Sequence, residues 1–154
     1  MYFIILAAGK SKRFNSNLPK QFNFYKGKMM FEHSIDKAKE SKIFKKIILV
    51  VNKSHRKYIK KIKKKDLIVI NGGKERKNSS KIDLNYLKKY KPSKVFIHDA
   101  ARPNFSIKLL KKLSTLIKKE KAVIPYIKSD DSVKIKNKYR LQNLDRDKLF
   151  FTQT

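Results

Sequence analysis

Residues 2–13 read YFIILAAGKSKR, and the fold expected for the chain follows from this stretch. Tyr2–Leu6 is a continuous apolar run, which is typical of a strand buried on both faces of a parallel sheet. Ala7, Ala8 and Gly9 follow at once, and small residues after a buried strand let a phosphate chain approach backbone N–H groups. The stretch therefore predicts a strand and a phosphate-binding loop, with an ordinary tight turn and solvated cations as the alternative.

Apolar segments continue at short spacing along the chain and alternate between strand-like and helix-like patterns. Further strands are predicted at Ile47–Val51, Leu67–Ile70, Lys94–Ile97 and Ala122–Pro125. Helices are predicted at Met30–Ser41, from Ser54 to about Lys64, from Ser79 or Ser80 through Leu87, and after an N-cap at Ser106. This alternation indicates βαβ units, a largely parallel sheet and helices on both faces, which is an α/β fold.

Beyond about residue 127 the pattern changes to apolar residues scattered among polar ones. Val133, Ile135, Tyr139 and Leu141 belong to this pattern, and Lys136–Lys138 has the composition of a turn. The pattern predicts a projecting β-hairpin, an arm within residues 127–147, rather than another βαβ unit. No linker, repeat or low-complexity block divides the chain, so residues 1–154 are expected to form a single domain.

The composition excludes several classes of protein. The 154 residues contain no Cys, which excludes a disulfide scaffold, a Cys-ligated zinc site and a Cys nucleophile. No apolar run reaches the ~18 residues of a membrane span, and no basic segment precedes Tyr2–Ala8 as a secretory signal requires. We therefore expect a cytoplasmic protein with no membrane partner.

The formal charge of +29 comes from 41 Lys and Arg against 12 Asp and Glu, a balance found in nucleic-acid-binding proteins. However, 35 of these residues are Lys, spread along the whole chain, whereas Arg is the residue suited to bidentate phosphate and base contacts. Lys shares A/T-rich codons with the abundant Ile and Asn, so genome composition accounts for a largely solvated Lys surface. No specific nucleic-acid partner is expected, and a basic nucleic-acid-binding domain is the non-enzyme alternative.

Three unusual loops follow predicted strands, and in a parallel sheet ligands bind beyond the carboxyl ends of the strands. In the first loop, Arg13 and Lys20 place cations at two points of a phosphate chain. In the second loop, Gly72 and Gly73 permit close approach of a ligand, and Ser79 either caps a helix or contacts that ligand.

The third loop reads HDAARP from His98 to Pro103. Asp99 ends a strand and brings a carboxylate to the ligand edge, where it can bind hydroxyl groups or a hard metal such as Mg²⁺; a capping Asp is the alternative. His98 is a candidate general base, although a packed, structural histidine is the simpler interpretation. Together the three loops indicate nucleotidyl transfer, because attack on an α-phosphate needs charge neutralisation and alignment more than a protein nucleophile.

A series of motifs, in order from Tyr2 to Thr154, carries a family resemblance. The motifs are L-A-A-G-x-x-x-R with P-K-Q, then G-G-x-x-R-x-x-S, H-D-A-A-R-P, D-S-V-K, D-R and a final Q-T. This set resembles the 2-C-methyl-D-erythritol 4-phosphate cytidylyltransferase family of non-mevalonate isoprenoid synthesis. The resemblance implies a Rossmann-like nucleotidyltransferase three-layer sandwich with a projecting β-hairpin dimerisation arm. It also implies transfer of a cytidylyl group from CTP to methylerythritol phosphate, with release of pyrophosphate.

The resemblance further implies roles for individual residues. Arg13 and Lys20 would be catalytic, binding the phosphates and stabilising the α-phosphorus during transfer. CTP would be bound by Ala7, Ala8, Gly9, Gly73, Ser79, Asp99 and Ala100, with Asp99 near Mg²⁺ or another divalent cation. The acceptor, a polyol phosphate, would be bound by Arg102, Ser132, Arg146 and Thr154. Arg146 is expected from the partner subunit of a homodimer, because the arm of this family is exchanged between subunits.

The chain departs from the family pattern at a few positions. Ser11 replaces a usual Gly, Phe14 replaces a usual Met, and Lys74 stands where an acidic residue that contacts the base is common. The sequence stops at Thr154, where family members continue, so we expect the domain to be incomplete at its C-terminus and this fragment to turn over poorly. The nearest alternative is a pentitol-phosphate enzyme such as ribitol 5-phosphate cytidylyltransferase, and Ala101 favours methylerythritol phosphate over that acceptor.

Overall fold

The computed structural model describes residues 1–9, 18–60, 62, 67–73 and 85–152. Its strands are β1 (Tyr2–Ala7), β2 (Phe24–Tyr25), β3 (Lys28–Met29), β4 (Lys46–Val51), β5 (Leu67–Asn71), β6 (Val95–Asp99), β7 (Tyr126–Lys128), β8 (Lys134–Lys136), β9 (Leu141–Asn143) and β10 (Phe150–Thr152). Its helices are α1 (Met30–Glu40) and α2 (Ile107–Lys119), with 3-10 turns at Lys20–Phe22, Lys53–Ile59 and Arg146–Lys148. Residues 85–88 are also helical, in agreement with the end of the helix predicted through Leu87, whose start lies outside the described residues. No helix in these ranges is long and apolar enough to cross a membrane.

Four parallel strands form the central sheet, in the order β5-β4-β1-β6. β1 lies between β4 and β6, with Phe3 beside Ile47 on one side and Phe96 on the other. Continuous apolar runs, rather than alternating ones, are expected in such strands because the sheet is covered on both faces. The parallel sheet predicted from these four segments is confirmed.

Helices cover both faces of the sheet, and each face has its own apolar cluster. On one face Phe3 belongs to a cluster with Phe31 of α1 and Leu110 of α2. The next residue, Ile4, lies in a second cluster with Leu87, because successive side chains of a strand point to opposite faces. The molecule therefore has the three layers that the sequence predicts.

The N-cap predicted for α2 at Ser106 is confirmed, whereas the N-cap predicted at Ser54 is wrong. Ser106 Oγ accepts a hydrogen bond from Leu109 N at 3.1 Å. The segment expected to be a helix capped by Ser54 begins as a 3-10 turn over Lys53–Ile59, and Asn52 caps it. Asn52 Oδ1 accepts hydrogen bonds from Ser54 N at 3.0 Å and Ser54 Oγ at 2.8 Å, so the earlier amide oxygen engages both donors of Ser54.

The strand predicted at Ala122–Pro125 is also wrong. Residues 122–125 form no strand, and β7 begins only at Tyr126, which pairs antiparallel with Thr152 of β10. Pro125 has no N–H group to donate to a sheet ladder, so a strand begins more readily after it than across it.

The hairpin predicted beyond residue 127 is confirmed. β8 and β9 are antiparallel, with Ile135 opposite Gln142. Asn137 N donates a hydrogen bond to Arg140 O at 2.9 Å and closes the turn between them. β7 and β10 form a second antiparallel pair that encloses this hairpin in the chain order. The use of this arm in dimerisation stays a prediction.

Candidate active site

The carboxyl ends of β1 and β6 lie side by side at one edge of the sheet. Leu6 is paired with Asp99, and Ala100 N donates a hydrogen bond to Leu6 O at 3.1 Å. The first and third loops therefore leave the sheet from adjacent strands. This pairing brings the Ala7–Gly9 segment next to the Asp99–Arg102 segment.

The second loop leaves the same edge two strands away from β1. Gly72 N donates a hydrogen bond to Val51 O at 2.8 Å, which holds the start of this loop against the end of β4. Neighbouring strands lie about 4.8 Å apart, so β5 and β1 are separated by roughly 10 Å. A ligand that contacts both Gly73 and the first loop must therefore extend across the end of β4.

Gln21 holds the first loop from within the protein. Its Nε2 donates hydrogen bonds to Ala7 O and to Gly9 O, each at 2.8 Å, and only 4% of the residue is exposed. Lys20 precedes Gln21 in the same 3-10 turn and is exposed. The structure thus places Lys20 one residue from the anchor of the first loop. The P-K-Q motif contains Gln21, but nothing in its spacing reveals this contact.

The first loop has open space at Gly9. A Cβ atom built at Gly9 would have no atom of the described residues within 4 Å. A glycine in open space lets another molecule approach the backbone closely, since no side chain keeps it away. The backbone around Gly9 can therefore receive a ligand group at short distance.

Asp99 and Arg102 close the third loop as a turn. Arg102 N donates a hydrogen bond to Asp99 O at 3.1 Å, and Arg102 Nε lies 3.4 Å from Asp99 Oδ2. The Arg102 side chain is 47% exposed and the Asp99 side chain 23%, so both charged groups reach solvent at the ligand edge. Ala100 between them is buried, and its N–H is used in the hydrogen bond to Leu6 O.

Lys37 of α1 anchors the far end of the third loop. Its Nζ donates a hydrogen bond to Pro103 O at 2.7 Å and lies 5.1 Å from the centre of the Phe105 ring. The bonded residues are 66 positions apart, so no local pattern distinguishes Lys37 from the many solvated lysines. Sequence reasoning missed this contact for that reason.

His98 belongs to the apolar layer and not to the loops. Its ring stacks on Phe3 at 5.7 Å between centroids and meets Phe105 edge to face at 4.6 Å. Burial lowers the pKa of His98 to about 4, so the ring is neutral at neutral pH. The surroundings therefore support the structural interpretation of His98 over that of a general base.

A cavity of about 820 Å³ lies beside the site and not within it. Apolar side chains of β6, α2 and residues 121–127 form most of its wall. Among the described residues, Arg102 and the packed ring of His98 contribute to this wall, whereas the other predicted site residues do not. The loops at the carboxyl ends of the strands, not this cavity, are therefore the candidate site.

The remaining predicted site residues lie in the arm or outside the described residues. Ser132 precedes β8 and Arg146 follows β9, and both are exposed. Leu144 N donates a hydrogen bond to Val133 O at 2.9 Å, which brings Ser132 and Arg146 to the same end of the hairpin. Arg13, Ser79 and Thr154 lie outside the described residues.

Asp99 brings its carboxylate to this edge, where it is the predicted ligand of a metal ion. Within the described ranges, no group of three or more His, Cys, Asp or Glu residues could hold a metal ion. Mg²⁺ is commonly held by one or two carboxylates while substrate phosphates and water complete its shell. The residues present therefore fit a cation shared with a phosphate ligand.

Comparison with known proteins finds relatives over the length of the chain. The family described as IspD: 2-C-methyl-D-erythritol 4-phosphate cytidylyltransferase matches residues 1–154. The bifunctional enzyme IspD/IspF of Pelagibacter ubique is 51% identical over 152 residues, which cover 99% of this chain and 41% of that enzyme. The 2-C-methyl-D-erythritol 4-phosphate cytidylyltransferase of Caldicellulosiruptor bescii is 37% identical over 155 residues, covering 98% of this chain and 69% of that protein.

Solved structures agree with these relatives. The bifunctional IspDF from Campylobacter jejuni is 30% identical with a TM-score of 0.83, and the match covers 100% of this chain and 39% of that chain. The 4-diphosphocytidyl-2C-methyl-D-erythritol synthase from Anaerococcus prevotii is 28% identical with a TM-score of 0.77, covering 99% and 68%. The fold is therefore the Rossmann-like α/β sandwich of these proteins. The chain spans less than half the length of the bifunctional relatives and about two thirds of the others.

Replacing Lys37 by Met tests the tether of the third loop, since Met keeps much of the aliphatic stem and removes the donor. Pro103 O also accepts a hydrogen bond from Phe105 N, so the carbonyl loses one of two described partners. We expect the free energy of unfolding to fall by about 1 kcal/mol and amide exchange in residues 100–105 to accelerate.

The matched control is Lys112→Met, which removes an exposed charge from α2 and should change the free energy of unfolding by less than about 0.5 kcal/mol. Chemical denaturation measures both variants, and hydrogen exchange reads the loop. Equal stability of the two variants, with unchanged exchange, would show that the tether does not hold the loop.

Proposed function

Because the chain belongs to the 2-C-methyl-D-erythritol 4-phosphate cytidylyltransferase family, we propose that it transfers a cytidylyl group from CTP to 2-C-methyl-D-erythritol 4-phosphate and releases pyrophosphate. The observation that carries the proposal is the meeting of two loops at the paired ends of β1 and β6. One loop offers open backbone at Gly9, and the other offers the charged pair Asp99 and Arg102. A nucleoside triphosphate has the phosphates and hydroxyl groups that such an edge can bind.

The proposed reaction is an in-line displacement at the α-phosphorus of CTP. A phosphate oxygen of the acceptor forms the new bond, the bond to the β-phosphate oxygen breaks, and pyrophosphate leaves with the electron pair. Negative charge builds on the transferring group, so positive charge and alignment supply most of the catalysis. In this proposal the backbone of Ala7–Gly9 holds the phosphates, and Lys20 and Arg13 bring the cations.

The nucleoside and the metal are assigned to the second and third loops. We assign Gly73 and Ser79 to the cytosine, and Asp99 and Ala100 to the ribose hydroxyl groups. Asp99 would also hold Mg²⁺, which neutralises phosphate charge when it is bound. The Asp99–Arg102 turn keeps this carboxylate at the ligand edge. Because CTP is an intracellular nucleotide, we place the enzyme in the cytoplasm.

The acceptor is assigned to Arg102 and to the arm residues Ser132, Arg146 and Thr154. In this proposal Arg146 reaches the acceptor phosphate of the neighbouring subunit through arm exchange in a homodimer. The arm carries large apolar side chains that this chain alone leaves in solvent, for instance Tyr139, 87% exposed, and Leu141, 62% exposed. A concentration of exposed apolar side chains is typical of an interaction surface, which supports the dimer.

The proposed activity is tested by pyrophosphate release with CTP and purified protein, in the full length that its gene encodes. We expect release with 2-C-methyl-D-erythritol 4-phosphate, and little with ribitol 5-phosphate or without an acceptor. UTP in place of CTP is the control for base recognition. Faster release with ribitol 5-phosphate would show that ribitol 5-phosphate is the preferred acceptor. No release with either acceptor would overturn the proposed reaction.

Substitution of Lys20 or Arg13 by Ala tests the two cations. Each change should lower kcat by roughly 10²–10³-fold, because the lost charge acts on the transition state more than on bound CTP. Lys45→Ala is the control, since Lys45 is an exposed lysine at the opposite end of the sheet, just before β4. It should keep kcat within about twofold of the wild type. Normal kcat in both loop variants would refute the assignment of the phosphate-binding cations.

Arg146→Ala tests the acceptor site in the arm. We expect the KM for the acceptor to rise about tenfold, because a charge-assisted contact to its phosphate is lost, while the affinity for CTP is unchanged. Arg140→Ala removes an exposed arginine at the turn of the same hairpin and should leave both values unchanged. A loss of CTP affinity in Arg146→Ala, or a monomer in sedimentation at high concentration, would contradict the exchanged arm.

A further inference from the structure

Gln21 donates two hydrogen bonds to the first loop, and no role has yet been assigned to these bonds. We propose that Gln21 is a positioning residue, whose carboxamide fixes the backbone after β1 in the conformation that receives the triphosphate. The same contact keeps Lys20 next to this backbone. This inference rests on the proposed function, since it names a residue that prepares the phosphate site before CTP arrives.

Both hydrogens of the Gln21 amide group are used on the first loop. Nε2 donates to Ala7 O and to Gly9 O at 2.8 Å each, and a side-chain amide nitrogen has only two hydrogens. In a trans peptide unit the C=O and the following N–H point in opposite directions. Drawing the Ala7 carbonyl toward Gln21 therefore turns the Ala8 N–H away from Gln21. The contact thus sets which side of the loop presents an amide donor.

The 3-10 turn that carries Gln21 is fixed to the core. Phe22, the next residue, is fully buried, and its ring lies 5.7 Å from that of Phe31 and 5.1 Å from that of Tyr58. Phe22 N also donates a hydrogen bond to Pro19 O at 2.9 Å, which closes the turn. Gln21 therefore connects the first loop to a packed element and not to another loop.

The Ala7–Gly9 segment of the first loop has no polar side chain with which to fix its own backbone. Ala7, Ala8 and Gly9 have no side-chain donor or acceptor, and Gly has the largest backbone freedom of any residue. A loop that is ordered only when the ligand binds weakens binding by the entropy lost, whereas a preorganised loop does not. Two hydrogen bonds from a buried amide supply this order in advance.

Lys20 is positioned by the same contact. It precedes Gln21 directly, and its carbonyl accepts a hydrogen bond from Asn23 N at 3.1 Å within the turn. Since the Gln21 side chain is bonded to Ala7 O and Gly9 O, those two bonds restrain movement of the neighbouring Lys20 backbone away from the Ala7–Gly9 segment. Loss of the Gln21 amide should therefore lower both phosphate affinity and the rate of the step that Lys20 assists.

The test replaces Gln21 by Met, which has a similar length and no donor. We expect the affinity for CTP and for inorganic tripolyphosphate to fall about tenfold and kcat to fall as well. The affinity for cytidine, which has no phosphate, should stay within about twofold of the wild type. Gln21→Glu replaces the donors by acceptors that face the two carbonyls, so it should lose more phosphate affinity than Gln21→Met. Isothermal titration measures each affinity.

Asn23→Ala is the matched control. It removes an exposed side-chain hydrogen bond to Lys20 O, 3.3 Å long, from the same turn and leaves the contacts to the first loop intact. Its affinities should equal those of the wild type. A wild-type protein that binds neither CTP nor tripolyphosphate overturns the proposed function and this inference together.

A Gln21→Met variant that matches Asn23→Ala, or that loses cytidine and CTP affinity equally, overturns this inference alone. Where the variant fails to fold, exchange of the Gln21 side-chain amide hydrogens in the wild-type protein is measured by NMR. Slow exchange is expected because both hydrogens of this buried side chain are hydrogen-bonded, and rapid exchange would overturn the positioning role.

Discussion

β1 is paired in parallel with β4 on one side and with β6 on the other, and the rest of the molecule depends on this pairing. A strand between two parallel neighbours has two buried faces to cover, so α1 and α2 pack on one face and the helix that contains Leu87 packs on the other. The register also sets the site, because it places Leu6 beside Asp99. A slip of one residue would move Phe3 to the wrong face, so the register that buries the core also fixes where the loops meet.

The loops at the sheet edge are held by side chains from other elements. Gln21 binds the first loop, Lys37 binds Pro103 at the end of the third, and Arg56 Nε donates a hydrogen bond to Asn71 Oδ1 at 2.8 Å where β5 ends. Loops rich in Ala and Gly have few groups with which to fix their own shape. The conformation of these loops is therefore set by tertiary contacts, and it depends on the packing of the sheet and its helices as much as on the loop residues.

The sequence predicts what depends on composition and short spacing. Continuous apolar runs predict the four strands of the sheet, and Ser106 predicts the start of α2, because each signal is local. Two predictions fail because of a single residue each. Asn52 engages the donors of Ser54, and Pro125 lacks the N–H that a strand requires. The tethers by Gln21 and Lys37 join residues 12 to 66 positions apart, so their packing partners exist only in the folded chain. Because the chain contains 35 lysines, residue type alone does not distinguish a functional lysine from the solvated ones.

The pair formed by Asp99 and Arg102 lies on a loop whose backbone is fixed, while its two charged side chains can change partners. Its atoms are 3.4 Å apart and both side chains reach solvent, and such pairs contribute only about 0–1 kcal/mol. Redirecting Asp99 to a cation or a hydroxyl group, and Arg102 to a phosphate, therefore costs little of the folding free energy. The backbone of this loop is held separately, by Ala100 N on Leu6 O and by Lys37 on Pro103 O. Because the backbone bonds and the charged pair are independent, the proposed substrates can take the charged groups while the loop that carries them keeps its shape.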